Sequence, residues 1–277
     1  MKKRILTLSL MLVIVIFSLS QAALASPNSQ GIGVRIEGNA FTGEVDVRNY
    51  TTFVGIRKFA TSMYSNAQVT YNSYTKTLTV KTDKVSITAT NGKSYIEANG
   101  RYLFTNTPIY MINGRMYAPV MLLAKAFDAK ISWSNASSSF LITRGSGGIL
   151  SADRYYRQDE VYWLSKIISA EARGEIMTGK VAVGNVILNR VRSNAFPNTI
   201  YGVIFDRKNG VQFSPVANGT IYNNATSDSV IAAKMCLEGY SVSTGILYFV
   251  NPSVAPNSWA SRNRPFYAKI GNHAFYL

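Results

Sequence analysis

The apolar residues of this chain change their period near residue 150, and that change limits the folds open to it. Before it, Thr77-Leu78-Thr79-Val80-Lys81-Thr82 and Val85-Ser86-Ile87-Thr88-Ala89-Thr90 alternate with period two, as half-buried strands do. Asn91-Gly92, Asn99-Gly100 and Asn113-Gly114 punctuate this half as tight turns. After it, Val161, Leu164, Ile168 and Glu171 recur three and four residues apart, one stripe of a helix. Arg173-Gly174 predicts its end, a basic residue followed by a terminating glycine. An α+β chain of two domains is therefore expected, residues 31–144 and 159–277. The polar, glycine-rich stretch 145–158 is expected as a flexible linker.

Within residues 31–144 a repeat is legible. Phe53-Val54-Gly55-Ile56 opens a helix-like run to Met63, followed by Val69-Thr70-Tyr71 and Leu78-Thr79-Val80. Tyr117-Ala118-Pro119-Val120 opens a similar run to Phe127, followed by Ile131-Ser132-Trp133 and Phe140-Leu141-Ile142. The expectation is an α/β module built of helix-strand-strand units. In the second half, Val181 to Val191 predicts another apolar helix, with Asn185 and Asn189 on one face. Asn198 or Thr199, and Thr226 or Ser227, are candidate N-caps of two further helices. Ile246 to Val250 is β-like and stops at Asn251-Pro252.

The amino terminus carries a leader. Met1-Lys2-Lys3-Arg4 is basic, Ile5 to Leu19 is almost wholly apolar, and Ala23-Leu24-Ala25 is a small-x-small cleavage site. Residues 1–25 are expected to be a secretory signal peptide, leaving no membrane span after cleavage. Lys and Arg outnumber Asp and Glu by 29 to 14, a formal charge of +15. Loss of the leader's three basic residues lowers it to about +12. A basic secreted chain suits an anionic wall polymer, and export argues against nucleic acid as partner. One cysteine, Cys236, precludes an intrachain disulfide, so stability must come from the core.

Glu171 stands where the helix stripe calls for an apolar residue. A carboxylate there either pairs, with Arg173 or Arg190, or keeps a proton through a raised pKa. A carboxyl group protonated at neutral pH can protonate a leaving glycosidic oxygen. Glu175 is a second carboxylate, open to a part in the site or to a role pinning a loop. A zinc amidase would need several ligands, and the chain has one histidine, His273. Cys236 lies in the apolar helical run Ala232 to Leu237, the setting of an inert buried thiol. No metal and no cofactor are expected.

Ile168-Ser169-Ala170-Glu171-Ala172-Arg173-Gly174-Glu175 is followed by Gly179-Lys180-Val181-Ala182-Val183-Gly184-Asn185-Val186-Ile187-Leu188-Asn189-Arg190-Val191 and by Phe196-Pro197-Asn198-Thr199-Ile200. Gln212 to Gly219, Tyr248 to Pro252 and Ile270 to Tyr276 continue the series. Residues 159–277 resemble the SleB/CwlJ-type cell-wall hydrolases, the spore cortex-lytic enzymes. The resemblance implies a mainly helical, lysozyme-like catalytic domain with a small β element, acting on peptidoglycan glycan strands during germination. It implies lytic transglycosylation between N-acetylmuramic acid and N-acetylglucosamine, with Glu171 as general acid/base. It also implies a place outside the cell, in the wall or spore cortex, and admits a spore-resident inhibitory or stabilising protein as partner. Asn218 stands where relatives carry Asp and receives no acid/base role, and the stretch Trp259 to Pro265 departs from the family's Trp-rich run.

Phe213, Tyr248 and Trp259 offer flat faces to sugar rings or pack in the core, and Asn251 can bond an acetamido group. With Glu175 they are the candidate substrate-binding residues. In the first half, Ile112 to Val120, Ala124 to Ala129 and Ile131-Ser132-Trp133 resemble the N-terminal domain of copper amine oxidases, implying a wall-associated accessory module without copper. The rival readings are an N-acetylmuramoyl-L-alanine amidase, a hydrolytic muramidase and a non-catalytic wall-binding protein.

Overall fold

Asn-Gly turns set the registers of the first domain. The computed structural model describes residues 31–208 and 210–277; the expected leader, residues 1–25, lies outside them. Strands β1 (Gly33–Ile36), β2 (Asn39–Ala40), β3 (Val45–Arg48) and β4 (Thr51–Gly55) lead into helix α1 (Ile56–Met63). Strands β5 (Gln68–Asn72), β6 (Thr77–Lys81), β7 (Ser86–Thr90), β8 (Tyr95–Ala98) and β9 (Arg101–Phe104) form an antiparallel meander. Next come β10 (Tyr110–Ile112), β11 (Arg115–Pro119), α2 (Val120–Ala126), β12 (Lys130–Ser134) and β13 (Ser139–Thr143). Asn99-Gly100 and Asn113-Gly114 join β8 to β9 and β10 to β11 with both residues at positive φ, the geometry of a two-residue hairpin turn. Asn91-Gly92 differs, since only its glycine has positive φ.

The succession strand, helix, hairpin runs from β4 to β6 and again from β11 to β13. The two leading strands pair antiparallel, Ala118 opposite Val54. Their hairpins go to different sheets: β5 and β6 begin the meander, whereas β12 and β13 join β1, which lies parallel to β13. Strands β1 to β3 and β7 to β10 lie outside the expected units. Phe59, Met63, Ile87, Ile96, Leu123 and Phe127 belong to one buried core beneath these layers.

The glycine-rich joint is packed instead of loose, a correction to the expected flexible linker. A Cβ on Gly148 would collide with the Lys84 carbonyl, so glycine here permits close approach of two backbones. The Ile149 N–H donates to Ala126 O at 3.0 Å, and Asn99 Nδ2 donates to Ile149 O at 2.9 Å. Helix α3 (Ala152–Tyr155) follows directly.

The second domain begins with α4 (Gln158–Ala172), whose first turn carries Asp159 and Glu160, favourable to the helix dipole. Gly174 is not left-handed, and α5 (Met177–Arg192) starts almost at once, earlier than the expected Val181. Then follow α6 (Ile200–Phe205), α7 (Ser214–Ala217) and α8 (Ser227–Leu237). Thr199 caps α6 and Thr226 caps α8, each accepting a backbone N–H three residues on, at 3.0 and 3.2 Å. Helices α4, α5 and α8 enclose a second core that includes Leu164, Ile168, Val186, Ala232 and Cys236. Gly184 lets α5 approach α8: a Cβ there would lie 2.7 Å from Cys236 Sγ. Strand β14 (Tyr248–Val250), α9 (Trp259–Asn263), β15 (Phe266–Ile270) and β16 (His273–Tyr276) close the chain, in sheet order β14, β16, β15. The last hairpin had no period-two signal, because all four residues of β16 are buried. Among the described residues no helix is long and apolar enough to cross a membrane.

Glu238, at the end of α8, joins the two domains. Its carboxylate accepts from Arg101 Nε and Nη2 at 2.6 and 2.9 Å, from the Tyr156 hydroxyl at 2.6 Å and from Lys125 Nζ at 3.0 Å. The Arg101 guanidinium also lies 3.3 Å from the centre of the Tyr155 ring, a cation–π contact. Burial alone would raise the Glu238 pKa, but the donors from Arg101, Tyr156 and Lys125 outweigh it and hold the carboxyl below its usual range. A depressed folded pKa adds stability above the unfolded value of 4.5, lost as pH falls through the folded one. Glu238→Gln, which strands a buried guanidinium, should destabilise by about 3–5 kcal/mol at pH 7. Thermal melts from pH 7 to pH 3 should show that gap closing as the wild-type carboxyl takes up its proton; a gap independent of pH would contradict this account.

Candidate active site

Helix α4 delivers Glu171 in its last turn, so the side chain emerges where the helix ends and the surface opens. A cleft of about 800 Å³ lies there, within the size range of ligand sites. Glu171, Arg190, Gln212, Phe213 and Ser214 line it from the helical side, and Tyr248, Trp259 and Arg264 from the β14–α9 side. Glu171 is half-buried, and neither Arg173 nor Arg190 forms an ion pair with it among the described residues. Burial pushes its pKa up from 4.5 to about 7, so the carboxyl holds a proton over much of the neutral range.

The opposite wall depends on α5. Asn185 Nδ2 donates to Tyr240 O at 3.0 Å, and its Oδ1 accepts from the Val242 N–H at 2.8 Å. Asn189 Nδ2 donates to Ser243 O at 2.9 Å and Ile246 O at 3.0 Å, and Arg190 Nε donates to Leu247 O at 2.7 Å. Three polar side chains on one apolar helix thus bind the backbone that leads into β14. That places Tyr248 over the cleft, 5.6 Å from the Trp259 ring centre.

Of the expected site residues, Glu171, Phe213, Tyr248 and Trp259 are brought together. Phe213 is 4% exposed, so it offers only an edge, whereas Trp259 at 54% is open to a ligand. Glu175 is not in the cleft lining: its carboxylate accepts from Asn272 N at 3.1 Å and Asn272 Nδ2 at 3.0 Å, tying the α4–α5 turn to the β15–β16 turn. Asn251 does not line the cleft either, and its Oδ1 accepts from the Ser253 N–H at 3.0 Å, holding the turn after β14. Asn218 likewise holds a turn, accepting from Thr220 N–H and hydroxyl at 3.0 and 2.7 Å.

Cys236 is buried and burial pushes its pKa up to about 12, which removes the thiolate a nucleophile needs. His273 sits 3.6 Å from Glu175, and burial, only partly opposed by that carboxylate, lowers its pKa. Among the described residues no three His, Cys, Asp or Glu side chains converge. A second cavity, about 490 Å³ in the first domain, includes Glu44, whose carboxylate is ion-paired with Arg115 at 2.8 Å and so is not a free acid.

Sequence reasoning missed Arg264, Gln212 and Ser214 as cleft residues and considered Arg190 only as a partner for Glu171. Gln212, Ser214 and Arg190 lay within the recognised motifs, which was the available signal. Arg264 had none, because its place depends on the turn between α9 and β15.

Residues 174–276 match the Cell Wall Hydrolase family, and residues 35–142 match the Copper amine oxidase N-terminal domain. The hydrolase match begins three residues after Glu171. Residues 35–142 contain no histidine and no cysteine, so the donor set of a copper site is absent there. A Spore cortex-lytic enzyme of Bacillus cereus is 38% identical over 120 residues, 43% of this chain and 45% of the relative. The chain therefore matches under half of that relative's length. Cell wall hydrolase CwlJ of Bacillus subtilis is 29% identical over 124 residues, 42% of this chain and 84% of that protein. The catalytic domain of the germination-specific lytic transglycosylase SleB from Bacillus anthracis is 38% identical, covering 44% of this chain and 97% of that one, with a TM-score of 0.40. Residues 174–276 thus carry a match to the cell wall hydrolase family, behind residues 35–142, which match the copper amine oxidase N-terminal domain.

Proposed function

We propose that this chain is a secreted peptidoglycan-cleaving enzyme, a lytic transglycosylase of spore cortex, with Glu171 as its general acid/base. The observation that carries the reading is a carboxyl group in an open cleft, with no ion-pair partner among the described residues and a pKa of about 7. Such a group can protonate the glycosidic oxygen between N-acetylmuramic acid and N-acetylglucosamine as that bond breaks. The muramoyl 6-hydroxyl then attacks the anomeric carbon, and the Glu171 carboxylate takes up the hydroxyl proton. The products are a 1,6-anhydromuramoyl end and a free 4-hydroxyl on the other fragment, and the acid is restored.

Glu171 is the one carboxylate among the residues lining the cleft. Two-carboxylate hydrolysis needs a partner about 5–9.5 Å away across the scissile bond. Glu175 is held by Asn272 instead, which favours the one-carboxylate route. The sequence likeness of the second domain to spore cortex-lytic enzymes supports cortex as substrate and germination as the occasion.

Mass spectrometry of products from purified cortex tests the chemistry. Wild type should release anhydromuramoyl ends and Glu171→Gln should lose at least about a thousandfold in rate. Hydrated reducing ends would replace transglycosylation by hydrolysis, and equal activity in the variant would remove Glu171 from the mechanism. The rate should fall with rising pH above about 7 as the acid form disappears.

The same proton is visible in stability. The folded pKa is raised, so the favourable contribution is full below 4.5 and is lost as pH rises to about 7. Glu171→Gln should therefore melt with wild type at pH 4 and above it at pH 8, and a constant difference between the two would refute the raised pKa.

A further inference from the structure

Arg190 is 5% exposed, yet no carboxylate reaches it at ion-pair distance among the described residues. Its Nε is used by Leu247 O, and its Nη1 makes only a long 3.4 Å contact with Gln212 Oε1. No acceptor meets Nη2 among the described residues, and the residue lines the cleft. Asp206, the acid whose charge reaches it, is engaged with the Lys208 N–H at 2.9 Å. The rings of Phe196, Phe213 and Tyr248, centred 4.8, 5.2 and 5.3 Å away, stand in for a counter-ion. A second guanidinium, Arg264, lies 4.9 Å from the Tyr248 ring centre and 5.0 Å from that of Trp259. Two cations thus flank one aromatic ring at the mouth of the site. A buried cation without an ionic partner is costly, and an anion in the cleft that both residues line would relieve it.

We propose that Arg190 and Arg264 form a carboxylate subsite, which seats the carboxylate on the 3-substituent of a muramoyl residue. That anion is the lactyl carboxylate itself or one on the peptide extending from it. The proposal rests on the peptidoglycan reading of the cleft. A neutral sugar would gain nothing from two guanidiniums, whereas a carboxylate can accept from the free Nη2 of Arg190 and from the exposed Arg264 guanidinium. The subsite binds and orients substrate, and Glu171 supplies the proton.

The test is binding to the full chain carrying Glu171→Gln, which stops turnover. The probes are soluble glycan strands with stem peptides present or removed, each before and after conversion of carboxylates to methyl amides. Fluorescence polarisation should show amidation weakening binding about tenfold or more. Adding Arg264→Gln, an exposed substitution, should erase most of that difference, and Arg190→Lys should reduce it while keeping the charge. Discrimination on stripped strands would assign the lactyl carboxylate; discrimination on peptide-bearing strands alone would assign the peptide. Equal affinity for native and amidated strands, or an equal loss on both in Arg264→Gln, would overturn the subsite. Product release by wild type from the same strands is scored in parallel. No release alongside intact discrimination would reject the enzymatic reading and keep the subsite.

Discussion

Helix α5 has a polar edge in an apolar environment, and that edge positions much of the cleft. Asn185, Asn189 and Arg190 are all nearly inaccessible, and each donates to main-chain carbonyls of the loop from Tyr240 to Leu247. Buried amides left unmatched would cost about 1–3 kcal/mol each, so the loop is specified as strongly as a strand would be. The loop hands its geometry to β14, which places Tyr248 in the lining of the cleft that Glu171 shares. The small terminal sheet then seats β14 against β16, and the Glu175–Asn272 contacts tie that sheet back to the α4–α5 turn. A carboxylate resembling a second catalytic group thereby serves the frame.

The cleft separates charges by type of environment. Glu171 is half-buried and has no hydrogen-bond donor among the described residues, which favours its neutral form. Arg190 stands beside three aromatic rings, and burial lowers its pKa to about 10, which still leaves it cationic at neutral pH. An acid and a cation therefore share one cavity without neutralising each other. That is the arrangement needed for a proton donor beside an anion-recognising wall.

The first domain is fastened to the second by a buried ionic knot instead of a tether. Glu238 on α8 gathers Arg101, Lys125 and Tyr156 from before the helical domain, and Lys234 adds a bond to the Gly100 carbonyl at 3.0 Å. The glycines of the joint serve close packing.

Local pattern was enough for much of this protein. Period-two strands, Asn-Gly turns, the α4 stripe and the Thr199 and Thr226 caps are each set by residues a few positions apart, and so they were legible. So was Glu171, because a carboxylate in an apolar stripe is a conflict visible in one dimension. The register of β16 was hidden, since a fully buried strand does not alternate. The contacts of Glu175 and Asn251 were not legible, because Asn272 is about a hundred residues from Glu175 and a turn can use an amide as readily as a sugar can. Sequence by itself determined the two textures, the motif and the candidate acid, since these depend on spacing along one chain. Tertiary structure alone decided which polar groups hold turns and which face the cleft, because partnership depends on distances in space: it tied Glu175, Asn218 and Asn251 into the frame and left Glu171, Arg190 and Arg264 lining the cleft.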